Sequence, residues 1–199
     1  MKLTKYTHAC LTLEKDGKKL VIDPGSFSET QQALHDADAI LITHEHADHI
    51  TEEALKSGIP AYGPETIEGI TPLKPGNQET IAGFSIKVYG GQHALIHPEI
   101  PMIRNNAYFI DEELYVPGDN FTVPPEEVKY LFVPLHAPWS KTQEVVDFAI
   151  AVKPQQAFNI HDSLLTENGL GFVETHLKNI TQAYGIKYKN LAPDESIEL

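Results

Sequence analysis

Residues 43–49 read Thr-His-Glu-His-Ala-Asp-His and follow directly on the apolar run Ala39-Ile40-Leu41-Ile42. That junction constrains the chain more than any other feature of it. His44, His46, Asp48 and His49 fall within six positions, and imidazole with carboxylate is the donor set that holds a borderline divalent cation such as zinc. A loop leaving a buried strand can aim alternate side chains into one pocket, which scattered surface histidines cannot do. The competing reading is a chance cluster in a chain with ten histidines. Strand, loop and ligand chemistry together disfavour it.

Composition narrows the class. A chain of 199 residues suits one domain over residues 1–199, with a core of useful size. No apolar run approaches the length that spans a bilayer. The opening Met-Lys-Leu-Thr-Lys-Tyr-Thr-His has neither the apolar core nor the cleavage site of a signal peptide. Cys10 is the only cysteine, which excludes an internal disulfide and fits a reducing cytoplasm. Its alternation with apolar neighbours makes it core filler. A net charge of −13, from 28 acidic and 15 basic residues, argues against long nucleic acids. Lys18-Lys19 is the only adjacent basic pair and Arg104 the only arginine. The expected partner is a small molecule, with no membrane. Association into a homo-oligomer stays open, since no heptad or long apolar helix specifies a partner.

Along the chain, Ala9, Leu11 and Leu13 alternate with polar residues, Asp16-Gly17 turns, and Leu20-Val21-Ile22 returns as a hairpin. Asp23-Pro24-Gly25 stops that strand. A short helix is expected over 29–36, a strand over 39–42, and a helix from Thr51 to Lys56 ended by Gly58 and Pro60. Further strands are expected at 80–81, 84–88, 108–110, 114–116 and 129–133. Ser140 and Gln143 read as a capping box, before Val145, Phe148, Ala149 and Val152 at helical spacing. Residues 157–160 form a strand ending at His161, and a last helix sets Val173, Leu177, Ile180 and Tyr184 on one face. Two groups of strands with outer helices predict an α+β fold, a four-layer αββα sandwich with its site at the strand ends.

More ligand candidates stand where apolar strands stop: His93 after Gly90-Gly91-Gln92, Asp119 after Val116-Pro117-Gly118, and His161 after Asn159-Ile160. This ordered set resembles the metallo-β-lactamase-fold hydrolases, which carry a T-H-x-H-x-D-H loop, a later His, a Gly-Asp and a final His. With the opening strands and the Ile22-Asp23-Pro24-Gly25 turn, the resemblance spans nearly the whole chain. It implies that His44, His46 and His93 hold one metal, that Asp48, His49 and His161 hold a second, and that Asp119 bridges both. Flavodiiron members place Glu where this chain has His46, so a redox role is disfavoured. The inserted domain of the RNA-cleaving branch is missing, as are the secretion signal and metal-binding cysteine of the antibiotic-degrading branch. Compact size and the short spacing to His93 resemble most the ascorbate-6-phosphate lactonase-like branch.

Two divalent ions are therefore expected, zinc by the histidine-rich ligation, with manganese or iron as alternatives. They would share a water and ionise it, and the hydroxide would attack a small ester, lactone or phosphorylated metabolite. Asp48 is the candidate to orient that nucleophile or take its proton. His136, in a rigid loop after a strand, is a candidate general acid. His8 and His97 are weighed as pocket residues against structural roles, and Arg104 as a carboxylate or phosphate clamp against a surface role. Trp139 is read as packing a loop beside the site, and His35 and His176 as solvated. The alternatives are a phosphodiesterase acting on a nucleotide or lipid head group, and a metal-binding relative without catalysis.

Overall fold

Leu11 and Leu13 alternate with Thr12 and Glu14, and the turn at Asp16-Gly17 folds the chain back so that Leu13 pairs with Leu20 and Leu11 with Ile22. The computed structural model describes residues 1–199. The first part of the chain supplies β1 (Lys2–Lys5), β2 (Leu11–Lys15), β3 (Lys18–Ile22), β4 (Ala39–Leu41), β5 (Ala61–Gly63) and β6 (Thr71–Pro72). Then come β7 (Gln78–Ile81), β8 (Phe84–Gly90), β9 (Asn106–Ile110), β10 (Leu114–Val116), β11 (Tyr130–Pro134), β12 (Gln156–Ile160), β13 (Lys187–Lys189) and β14 (Glu195–Glu198). The helices are α1 (Thr30–Leu34), α2 (Glu52–Lys56), α3 (Thr142–Val152) and α4 (Glu167–Thr181). Two seven-stranded sheets result, ordered β14-β1-β2-β3-β4-β5-β6 and β13-β12-β11-β10-β9-β8-β7.

Side-chain alternation assigns the layers. Leu20, Ile22 and Leu41 from the first sheet meet Phe84, Tyr108 and Phe132 from the second in the central core. Their neighbours point the other way. Val21, Ile40 and Ile42 pack on Ala33 and Leu34 of α1 and Ala54 of α2, while Leu131 and Val133 pack on Val145 and Ala149 of α3 and Leu177 of α4. Sheets covered on both faces explain why β4 and β11 read as unbroken apolar runs. The αββα sandwich expected from the sequence is the one observed.

Two local expectations shift. The N-cap of α3 is Lys141, whose backbone N–H is accepted by Glu144. Ser140 instead closes a turn, its hydroxyl accepting the Ala137 N–H. The buried stripe of α4 runs Val173, Leu177, Thr181. That stripe steps by four residues and leaves Ile180 exposed at its edge, while Tyr184 is exposed in the 3-10 turn Gln182–Tyr184 that follows the helix.

The parallel pairs β3–β4, β10–β11 and β11–β12 set the carboxyl ends of those strands at one end of the sandwich. β8 and β10 each pair antiparallel with β9, so β8 ends there too. Asp23, the 43–49 loop, His93, Asp119, His136 and His161 all follow these ends.

Candidate metal centre

Asp23 organises the ligand loop from below. Its Oδ1 accepts the Thr43 N–H at 2.7 Å, and its Oδ2 accepts the Thr43 hydroxyl at 2.7 Å and the His49 Nδ1–H at 2.9 Å. With its proton committed to Asp23, the Thr43 hydroxyl offers a lone pair to His44 Nδ1–H at 3.0 Å. The same rule governs the other imidazoles. His93 Nδ1–H donates to the Ala94 carbonyl and His161 Nδ1–H to the His136 carbonyl, both at 2.6 Å. Four tautomers are thereby fixed, leaving each Nε2 lone pair facing inward.

Those inward atoms test whether a metal fits. Nε2 of His44, His49, His93 and His161 and Oδ1 of Asp119 are buried without a hydrogen-bond partner. Buried polar atoms are costly when unpaired, and five converging on one place, all of ligand type, match a cation. Three sets have ligand atoms within 4.8 Å of one another: His44, His46 and His93; Asp48, His49 and His161 together with His8; and His44, His49 and Asp119. Asp119 lies between the first two, with Oδ1 3.2 Å from His49 Nε2 and Oδ2 3.4 Å from His93 Nε2 and 3.1 Å from His161 Nε2. The seven ligand candidates read from the sequence are thus gathered at one site.

The electrostatics carry the same message. Burial would raise the Asp119 carboxyl, but the His49 and His161 imidazoles beside it hold it well below the usual carboxylate range. Asp48 is likewise held low against its burial by the neighbouring His161 imidazole and the hydrogen bond from His8. In return the carboxylates outweigh the burial of two imidazoles. Asp119 and Asp23 push His49 well up, and Asp119 with Asp48 push His161 up to about 9. Burial, helped by the neighbouring His49, pushes His44 well down. Two carboxylates held ionised in so buried a place call for positive charge beside them, which a cation supplies.

The remaining residues separate cleanly. His8 is fully buried, donating from Nε2 to Asp48 Oδ2 at 3.1 Å and accepting at Nδ1 from Ser163 at 2.8 Å. Both its nitrogens are committed, so it steers Asp48. His97 turns out exposed, its Nδ1 accepting the Glu99 N–H, and it does not line the pocket. Arg104 is exposed and pairs with Glu65 at 3.7 Å. His136 is half-buried and bonds His161 through its backbone alone. His35 and His176 are exposed.

Four supporting residues carry no ligand signature of their own. Asp23 reads in the sequence only as a strand stop. Asn105, fully buried, accepts the Asp119 N–H and donates to the Pro117 carbonyl, fixing the Gly-Asp turn. Gly118 sits at φ 65°, and a Cβ there would lie 2.5 Å from Asn105 Oδ1 and 2.7 Å from Thr43 Cβ, so only glycine lets these loops meet. Trp139 does more than pack: its indole N–H donates to Asp119 Oδ2 at 3.0 Å. As the only tryptophan, it reports on the site. Its emission is expected to change as metal is titrated in, saturating at the bound stoichiometry. Constant emission through confirmed metal uptake would contradict that contact.

Residues 2–161 match the family described as the β-lactamase superfamily domain. Protein Rv0786c of Mycobacterium tuberculosis is 34% identical over 197 residues, spanning 91% of this chain and 93% of its own length. A protein named UPF0173 metal-dependent hydrolase from Ligilactobacillus salivarius is 42% identical over 100 residues, 46% of this chain and 42% of its own. Among solved structures, Igni18 of Ignicoccus hospitalis, described as a metallo hydrolase, has a TM-score of 0.73 at 19% identity. It covers 100% of this chain and 98% of its own length.

Proposed function

The chain belongs to the β-lactamase superfamily domain family, and on that premise we propose a binuclear metal-dependent hydrolase acting on a small ester or lactone. The observation that carries this reading is the set of inward-facing, unpartnered Nε2 atoms on both sides of the buried Asp119 carboxylate. His44, His46 and His93 would hold one cation, Asp48, His49 and His161 the other, and Asp119 both. When bound, the cations polarise a scissile carbonyl and lower the pKa of water from about 15.7 to roughly 7. Zinc suits the imidazole-rich set, and manganese or iron are accommodated by its carboxylates. A lactonase-like chemistry fits the compact site.

The two central carboxylates differ in access. Asp119 is buried and held by Trp139 and its own backbone bond to Asn105. The Asp48 side chain is about a fifth exposed, with one oxygen held by His8. Asp48 is therefore the group that orients the attacking water and takes its proton. The half-buried His136 imidazole, free of hydrogen bonds and next to the His161 turn, is the group to protonate the leaving oxygen.

The test compares the protein stripped of metal and reloaded with zinc, manganese or iron(II) on esters, lactones and phosphodiesters. Turnover of an ester or lactone that disappears on stripping and returns on loading is expected. No metal-dependent turnover of any of them contradicts the reading. His136→Ala is expected to slow esters of poorly departing alcohols by about 100-fold, while sparing p-nitrophenyl esters, whose leaving group needs no proton. Equal rates for wild type and variant on both kinds would remove His136 from the mechanism.

A further inference from the structure

The mouth of the site is apolar and lacks cations. Five of the large hydrophobic residues left exposed lie in segments that carry it: Phe27, Leu95, Ile100, Met102 and Leu164, each between 45% and 54% exposed. Phe27 packs edge-on against the His8 imidazole, ring centroids 5.2 Å apart. Leu164 follows the Ser163 that holds His8. The loop after His93 closes on a crevice of only about 10 Å³, lined by Ile96, Ile100, Met102 and Ile103 beside the imidazoles of His46 and His93, so a ligand would lie against the loop's outer face. Apolar surface left in water beside a reactive centre marks a contact for ligand.

The charges point the same way. Residues 6–10, 23–30, 43–51, 91–103, 117–121, 134–140 and 159–165 build the site and its rim, and they contain no lysine or arginine. Lys5 lies beneath, fully buried, in an ion pair with Asp162 at 3.1 Å. Arg104 follows the cleft loop but turns to Glu65 and to the Gly91 carbonyl. No lysine or arginine within those segments is there to pair with a phosphate or carboxylate held away from the metals.

We propose that the substrate is an uncharged ester or lactone whose apolar acyl group lies against the 94–103 loop, with its carbonyl at the metals. This rests on the hydrolase reading above and narrows it, setting aside phosphorylated metabolites. His46 and His93, which would hold the first cation, line the crevice with the apolar loop, so a carbonyl at that cation brings its acyl chain to the loop.

Two series separate this inference from its premise. On metal-loaded protein, p-nitrophenyl esters from acetate to octanoate are expected to gain about three- to fourfold in kcat/KM per added methylene over the first few. Alkyl hydroxamates of rising length, titrated calorimetrically, are expected to tighten in parallel without any turnover. In Ile100→Ser/Met102→Ser, both exposed positions, the octanoate-to-acetate ratio is expected to fall by about tenfold or more. Metal-dependent hydrolysis with flat length dependence overturns the apolar contact and leaves the hydrolase reading standing. Tightening hydroxamates with no ester hydrolysis overturns the hydrolase reading and leaves the contact. Preference for an acyl chain ending in carboxylate over its uncharged equivalent also overturns the proposal. So does an unchanged ratio in the double variant accompanied by a change in oligomeric state, which would assign the loop to contact between copies.

Discussion

Asp119→Ala is expected to lower kcat/KM by on the order of 1000-fold, about 4 kcal/mol of transition-state stabilisation, and to weaken binding of both cations. Asp119 is the one side chain within reach of both imidazole sets, with oxygens 3.1–3.4 Å from Nε2 of His161, His49 and His93. Removing it leaves Asp48 as the one ligand carboxylate to offset two metals, with Asp23 behind His49. Losing one partner of a buried charged cluster costs about 3–5 kcal/mol when the rest cannot reach water. The metal-free variant should therefore melt lower as well. Asp119→Asn separates the causes, since it keeps the volume and an oxygen for the Trp139 indole while losing the charge. Metal content by elemental analysis, beside a kcat/KM measurement on one ester, reads both effects. Unchanged content and rate in the alanine variant would remove Asp119 from the site.

Gly25→Ala is expected to dismantle half of the centre without touching a ligand. A Cβ on Gly25 would lie 1.7 Å from the Asp48 carbonyl oxygen, 2.0 Å from its carbon and 2.5 Å from the His49 nitrogen. All three are backbone atoms, so no rotamer change relieves the clash. The turn is tied to the loop, since the Ser26 N–H donates to the Ala47 carbonyl at 2.8 Å, and the loop must move. Overpacking typically costs about 1–3 kcal/mol, and a clash with fixed backbone belongs at or above the top of that range. For a chain of this size, 3 kcal/mol is roughly 6–12 °C in Tm. Asp48 and His49 shift while His44, His46 and His93 stay, so metal content should fall towards one equivalent. Gly171→Ala serves as control: it lies in α4 with nothing within 4 Å, and a slight stabilisation of about 0.5–1 kcal/mol is expected. Two equivalents of metal and an unchanged Tm in Gly25→Ala would contradict the close approach.

The ligand positions were legible because each follows an apolar strand whose end the parallel pairing brings to one place. Strand character and ligand chemistry are both local properties, so sequence carries them. The groups that aim the ligands are not local. Asp23 lies 20 residues before Thr43 and 26 before His49, and nothing in Asp-Pro-Gly distinguishes a carboxylate clamp from a turn. Asn105 meets Asp119 through the register of the β9–β10 pair, His8 meets Asp48 across loops of the first sheet, and His8 meets Ser163 only after the two sheets close. Unusual backbone at His8 (φ 67°), Asp23 (φ 48°) and His161 (φ 56°) is another such property, imposed by the packing around them. The helix faces failed in a smaller way. The spacing that placed Ile180 and Tyr184 inward misses that the buried stripe steps by four residues to Thr181, and that the chain leaves the α-helix at Gln182, before Tyr184.

The measurement that bears most directly on the proposed centre is metal content per chain, by elemental analysis of protein purified without chelators or a histidine tag. About two equivalents of zinc, manganese or iron are expected, one for each imidazole set with Asp119 between them. One equivalent or none, persisting after reconstitution with each metal in turn, would contradict the binuclear hydrolase.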